Sequence, residues 1–294
     1  MTLVCPICRE PAPAVTDRFC ELCGARLHPA SADVADRVEV DLAGLAGISD
    51  RGHLHLRNED AMALGRRPED GSATTLAAVV CDGVSTVRRP ELASNTAAAV
   101  ALDALLAGGA DVSGMTAAVA AAADAVARLA PGVPDGPSCT LVAAVVDTAT
   151  ATITVGWVGD SRAYWLPDVG SATALTIDDS FAQEQIDSGI PRAVAETGPQ
   201  AHAITRWLGV DAPAHTPRTA TMKLIEPGWL LVCSDGLWNY CSAAQDLAAV
   251  VSQASTTSPE AAEPLPLARA LVAWANAQGG RDNISVALAR IHPG

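Results

Sequence analysis

Short apolar runs that abut an aspartate recur along the chain, and they constrain its fold more than any other feature. Residues 76–81 (LAAVVC) lead into Asp82-Gly83, residues 153–158 (ITVGWV) into Gly159-Asp160, and residues 229–233 (WLLVC) into Ser234-Asp235-Gly236. Residues 284–288 (ISVAL) instead follow Asp282. Residues 141–146 (LVAAVV) form a further buried-type strand, joined to Ile153 by a segment that reads as a hairpin loop. Helical stretches lie between the strands. Leu92, Ala99, Leu102 and Leu106 mark one, and Leu267, Leu271 and Trp274 mark another, closed by Gly279-Gly280. Strands joined directly by hairpins argue against a doubly wound parallel sheet and for antiparallel sheets flanked by helices.

A single Asp-Gly after a strand is simply a turn. Repeated at the ends of several buried strands, the pattern acquires a second meaning, because strand ends meet at the edge of a sheet stack. Carboxylates gathered there repel one another unless a cation neutralises them. With oxygen donors only, and no His or Cys at these positions, the spacing points to a site for more than one Mg²⁺ or Mn²⁺ ion.

The eight cysteines fall into two populations. Cys5, Cys8, Cys20 and Cys23 stand as C-x2-C-x11-C-x2-C, the spacing of two metal knuckles that complete one tetrahedron. A segment so short cannot bury a core, so one structural zinc is expected to hold it, with iron as the competing ion. Residues 1–28 are therefore read as a zinc ribbon, 29–41 as a linker and 42–294 as the large domain. Cys81, Cys139, Cys233 and Cys241 lie among apolar residues and read as small core hydrophobes.

Charge narrows the partners. Lys and Arg number 19 against 33 Asp and Glu, a net charge of −14, and the ribbon is neutral. Such a surface repels phosphate, so nucleic acid and anionic membrane are not expected partners, and the ribbon reads as a structural or docking element. No leader or spanning segment is recognisable, and a cytoplasmic location is expected.

Short motifs follow one another in order: Ser49-Asp50-Arg51-Gly52, Asn58-Glu59-Asp60, Val80-Cys81-Asp82-Gly83 and Val158-Gly159-Asp160-Ser161-Arg162, then Leu175-Thr176 with Asp179-Ser180, Ile204-Thr205-Arg206, Cys233-Ser234-Asp235-Gly236 and Gly280-Arg281-Asp282-Asn283. In this order they resemble the motifs of the type 2C metal-dependent protein phosphatases. The resemblance implies a four-layer α-β-β-α sandwich of two antiparallel sheets. It implies a site in which Asp82 bridges two Mn²⁺ or Mg²⁺ ions beside the Gly83 carbonyl. Asp235 and Asp282 complete the pair, Glu59 and Asp60 sit around it, and Asp160 serves a third ion. It implies hydrolysis of protein phosphoserine and phosphothreonine by a metal-bridged hydroxide, opposing a Ser/Thr kinase. Residues 175–203 would form a flap beside the cleft.

The sequence departs from the family pattern at His55, where the family places a phosphate-binding Arg. Arg57 stands two residues on and could take that role, or His55 could contact the phosphate itself. Val84-Ser85-Thr86 replaces the family's His-containing segment after Asp-Gly. A weakly active or inactive phosphatase fold that binds phosphoprotein, with the ribbon for docking, is the alternative. Trp157, Trp229 and Trp274 read as core, Trp165, Trp207 and Trp238 as walls of the cleft, and His202 and His215 as ordinary.

Overall fold

Side chains alternate across a strand, so a strand apolar on both faces needs cover on both. The computed structural model describes residues 36–68, 74–132, 135–198, 200–212, 216–257 and 263–293. In it, eleven strands form two antiparallel sheets. One sheet runs β1 (Arg37–Leu42), β2 (Leu45–Asp50), β11 (Ile284–Ile291), β10 (Gly228–Cys233), β7 (Arg162–Pro167), β8 (Thr173–Ala174). The other runs β3 (Ala61–Pro68), β4 (Thr74–Cys81), β5 (Leu141–Asp147), β6 (Thr152–Val158), β9 (Arg218–Lys223).

The alternation assigns each side chain to a layer. Leu76, Ala78 and Val80 of β4, Val142, Ala144 and Val146 of β5, and Leu230 and Val232 of β10 fill the space between the sheets. Ala77, Val79 and Cys81, with Leu141, Ala143 and Val145, turn outward against α1 (Pro90–Ala107) and α2 (Val112–Ala127). Leu231, Cys233, Val286 and Leu288 turn the other way, onto α5 (Asp235–Trp238), α6 (Ala244–Thr257) and α7 (Pro264–Ala277). The result is the α-β-β-α sandwich, and the four scattered cysteines are buried and free as expected.

The structure refines three expectations. Residues 37–41, read as linker, belong to β1, whose Val40 and Leu42 pack on the inter-sheet core while Arg37, Glu39 and Asp41 face solvent. Arg51 N–H donates to the Asp36 carbonyl at 2.8 Å, so the chain enters the sandwich beside the loop after β2. The helix marked by Leu92, Ala99, Leu102 and Leu106 is α1; its buried face is Ala93, Ala97, Ala98, Ala101 and Leu105, with Leu102 and Leu106 packed at the margin and Ala99 exposed. Residues 175–203, expected as a flap beside the cleft, carry α3 (Phe181–Asp187) and α4 (Arg192–Ala195) and end in His202 and Ala203 on the wall of a cavity. The ribbon cysteines Cys5, Cys8, Cys20 and Cys23, and His215, lie outside the described residues.

Candidate active site

The registers bring the aspartates together. Ala61 pairs with Cys81, so Asp60 and Asp82 stand one step beyond that pair at the same sheet edge. Asp160 follows β6, Asp235 opens α5 directly after β10, and Asp282 precedes β11, whose Val286 pairs with Cys233. Each is held by its own small network. The Asp82 N–H donates to Thr140 Oγ1 at 3.1 Å, and Thr140 Oγ1 lies 2.8 Å from Ser161 Oγ. Ser234 Oγ donates to Asp60 Oδ2 at 2.7 Å and accepts from the Ser285 N–H at 3.0 Å. Asn239 donates to Asp235 Oδ2 at 2.9 Å, and the Trp238 indole N–H to the Asp160 carbonyl at 2.9 Å. Asn283 clamps the loop after β2, accepting from Glu59 N–H at 2.7 Å and donating to the carbonyls of Arg51 and Arg57 at 2.8 and 3.1 Å.

Two glycines permit this packing. Gly52 has φ +71°, where a side chain is strained, and a Cβ there would strike the Asp282 carbonyl. A Cβ at Gly236 would strike the carbonyl of Asn283.

A cavity of about 510 Å³ opens above, lined by Asp82, Gly83, Asp160, Asp235 and Asp282 with Ser85, His202 and Trp207 among the remaining walls. Burial pushes Asp82 and Asp160 well above the usual carboxylate range, and neighbouring aspartates push them further. Burial raises Asp60 to about 7 against the Ser234 hydrogen bond, with Asp282 and Asp235 adding repulsion. Asp235 rises to about 6 by burial and the charge of Asp282. Among the described residues no three His, Cys, Asp or Glu side chains are already closed around one point. The donor set nevertheless fits hard divalent cations. It consists of oxygens alone, and Asp60 Oδ1 and Asp235 Oδ1 are buried without a hydrogen-bond partner. A cation would satisfy both oxygens and relieve the repulsion.

The other expected residues separate. Glu59 accepts from Ser85 Oγ at 2.6 Å at the edge of the site. His55 Nε2 lies 3.1 Å from Asp282 Oδ1, so the imidazole stands against a carboxylate of the cluster. Arg57 lies away from that cavity. It lines an adjoining groove and reaches Glu91 at 3.5 Å, with its side chain 59% exposed.

Several neighbours were not read from sequence. His202, taken as ordinary, is exposed on the cavity wall, where a positive charge on it would favour ionised Asp235. Arg162 is buried, donates in a fork to Asp178 at 2.8 and 2.7 Å, and lies 3.5 Å from the Trp238 ring centroid. Trp207 does wall the cavity. Trp165 is buried between the sheets and Trp238 beneath the site, so neither is a wall. The signals for Arg162 lie in residues far apart in the chain, and no local spacing announces them.

No protein-family profile and no curated protein sequence matches the chain. Solved structures do. The PPM Ser-Thr phosphatase MsPP from Mycobacterium smegmatis, solved with cacodylate, is 30% identical over 86% of this chain and all of its own, with a TM-score of 0.64. The Mycobacterium tuberculosis serine/threonine phosphatase PstP/Ppp is 29% identical over 84% of this chain and 98% of its own, with a TM-score of 0.67. The catalytic domain of PstP in complex with two manganese ions is 29% identical, covering 86% and 98%, with a TM-score of 0.64. The chain thus belongs to the PPM Ser/Thr phosphatases.

Proposed function

We propose that this protein hydrolyses phosphoserine and phosphothreonine in proteins, with two Mn²⁺ or Mg²⁺ ions in the cavity and a weaker third. The observation that carries the reading is the convergence of Asp82, Asp160, Asp235 and Asp282 on one cavity with Asp60 buried beside them, Asp60 and Asp235 each keeping an unpartnered oxygen. Asp82, Asp235 and Asp282 would hold the core pair with the Gly83 carbonyl. Glu59 and Asp60 would support it, and Asp160 would serve the third ion. When bound, such cations supply Lewis acidity for the phosphoryl oxygens and a water acidic enough to react near neutral pH. The chain's own residues orient and exclude. Ser234 and Asn239 each tie one oxygen, of Asp60 and Asp235 respectively, and leave the other without a hydrogen-bond partner. Asn283 fixes the loop bearing His55 and Glu59, and Trp207 shields the mouth.

For residues 1–28 we retain the zinc ribbon, with Cys5, Cys8, Cys20 and Cys23 on one zinc and a docking role toward a Ser/Thr kinase or its substrates. No helix among the described residues is long and apolar enough to cross a membrane, and a cytoplasmic setting accords with the reading. Hydrolysis of p-nitrophenyl phosphate and of a phosphothreonine peptide should require Mn²⁺ and stop in EDTA. Peptide binding without turnover would instead establish the non-enzymatic phosphoprotein-binding alternative.

A further inference from the structure

Beside the carboxylate cavity lies a second hollow of about 420 Å³, lined by His55, Leu56, Arg57, Glu59, Ser85, Val87, Arg89 and Pro90. Ser85 and Val87 line both spaces, so a chain leaving the cavity over them enters the groove. Two guanidiniums face this path in a protein of net charge −14. Both stand loosely against one carboxylate: Arg57 is 3.5 Å and Arg89 3.7 Å from Glu91 Oε1, beyond the roughly 2.7–2.9 Å of a committed charge-assisted hydrogen bond. Their side chains are 59% and 68% exposed, so their forks remain available to a ligand. Glu91 is not itself on the lining, and Glu59, the acid that is, accepts from Ser85 Oγ at 2.6 Å. Arg89 holds φ +56° at the start of α1, in the left-handed region that non-glycine residues seldom adopt. Leu56 is 96% exposed on the same rim and serves no core.

We propose that this groove is a recognition subsite for an anionic side chain, a carboxylate or a second phosphate, next to the phosphoresidue of the substrate. Arg57 and Arg89 grip the anion, and Leu56 lies against the neighbouring substrate residue. The proposal rests on the phosphatase reading above but assigns Arg57 a different task from the reacting phosphate. It makes the enzyme selective for doubly charged segments, since neutral flanks leave both guanidiniums on Glu91.

The test compares phosphothreonine peptides whose flanking positions, on either side, carry Ala, Asp or a second phosphothreonine. Wild type should prefer an acidic flank by roughly tenfold in kcat/KM, an effect that fades with salt. The Asp and phosphothreonine arms show which anion fits. Arg57→Ala and Arg89→Ala should each reduce this preference, and the double variant should abolish it. Arg89→Ala should leave p-nitrophenyl phosphate turnover within about twofold, since that substrate has no flank. No preference in wild type, or one that survives both substitutions, overturns the proposal. So does an Arg57→Ala loss on p-nitrophenyl phosphate as large as that on the acidic peptide, which would return Arg57 to the reacting phosphate. If wild type hydrolyses neither substrate, the phosphatase reading fails separately. Fluorescence anisotropy of the same labelled peptides on wild type and the double variant then still decides the groove.

Discussion

Asp82 lines the cavity and, in the function proposed above, holds both ions, yet its burial among other aspartates costs stability. Burial and the charges of Asp60, Asp235, Asp282 and Asp160 all oppose its ionisation. Replacing it with Asn removes the need either to hold a proton or to carry a charge at that position. In EDTA, Asp82→Asn should therefore melt at the same temperature as wild type or a few degrees higher, while its turnover with Mn²⁺ falls by about two orders of magnitude or more. Thermal scans with and without metal, alongside metal analysis after dialysis, check both halves. A variant that keeps two ions and a normal rate would refute the assignment. The pH dependence follows from the same groups. Asp60 at about 7 and Asp235 at about 6 lie above the roughly 3.9 of an unfolded Asp. The folded metal-free protein thus keeps protons that the unfolded chain gives up. This contribution is complete below about pH 4 and is lost as pH rises through about 6–7. Metal-free protein should melt lower at about pH 8 than at about pH 5.5, and saturating Mn²⁺ should flatten that difference. Proton release on Mn²⁺ addition near pH 6 in weak buffer gives an independent measurement.

At the scale of elements, the site depends on loops pinned from below. Arg162, at the start of β7, ties Asp178 to Ser242 and Glu196 and stacks on Trp238, which in turn holds the Asp160 carbonyl. Arg162→Met leaves Asp178 buried and unpaired, and urea unfolding should show a loss of about 3–5 kcal/mol. Adding Asp178→Asn should recover much of it, because the stranded charge is gone. No spacing in the sequence joins Arg162 to Asp178 or Trp238, since the contact exists only after β7 and α5 are placed. The strands were legible because β4, β5, β10 and β11 are apolar on both faces and bounded by glycine or aspartate. The aspartates were legible for the same reason, since they punctuate those runs. The face of α1 was not, because alanine barely distinguishes buried from exposed: Ala97 and Ala99 differ only in which side of the helix meets the sheet. β1 was missed because its alternating Val38, Val40 and Leu42 are interleaved with charges and preceded by Pro- and Ala-rich sequence. His55 and Arg57 could be named from the motif, but only the structure sends them to different neighbours.

For the whole molecule, the described sandwich closes its cores with residues from 37 onward. Removing residues 1–28 subtracts no net charge, since Arg9, Arg18 and Arg26 balance Glu10, Asp17 and Glu21. The shortened protein should melt within a few degrees of full length and keep near-normal rates on p-nitrophenyl phosphate. Metal analysis should show one zinc per chain in full-length protein and none after the deletion, and an unfolded product would make the ribbon part of the catalytic core. The point where the chain joins the sandwich adds a consequence. Asp36 is bonded to Arg51, at the start of the loop whose other end carries His55 and Arg57. If the docking role proposed for the leading segment holds, a partner captured there would be tethered to a chain that joins the sandwich at the rim of the cleft. Tethering of this kind yields effective concentrations on the order of millimolar, so a partner that binds the leading segment weakly would still meet the cavity as if concentrated there. Dephosphorylation of such a partner would then depend little on its own affinity for the cleft wherever that Kd lies below the effective concentration, whereas a small phosphate ester would never register the tether.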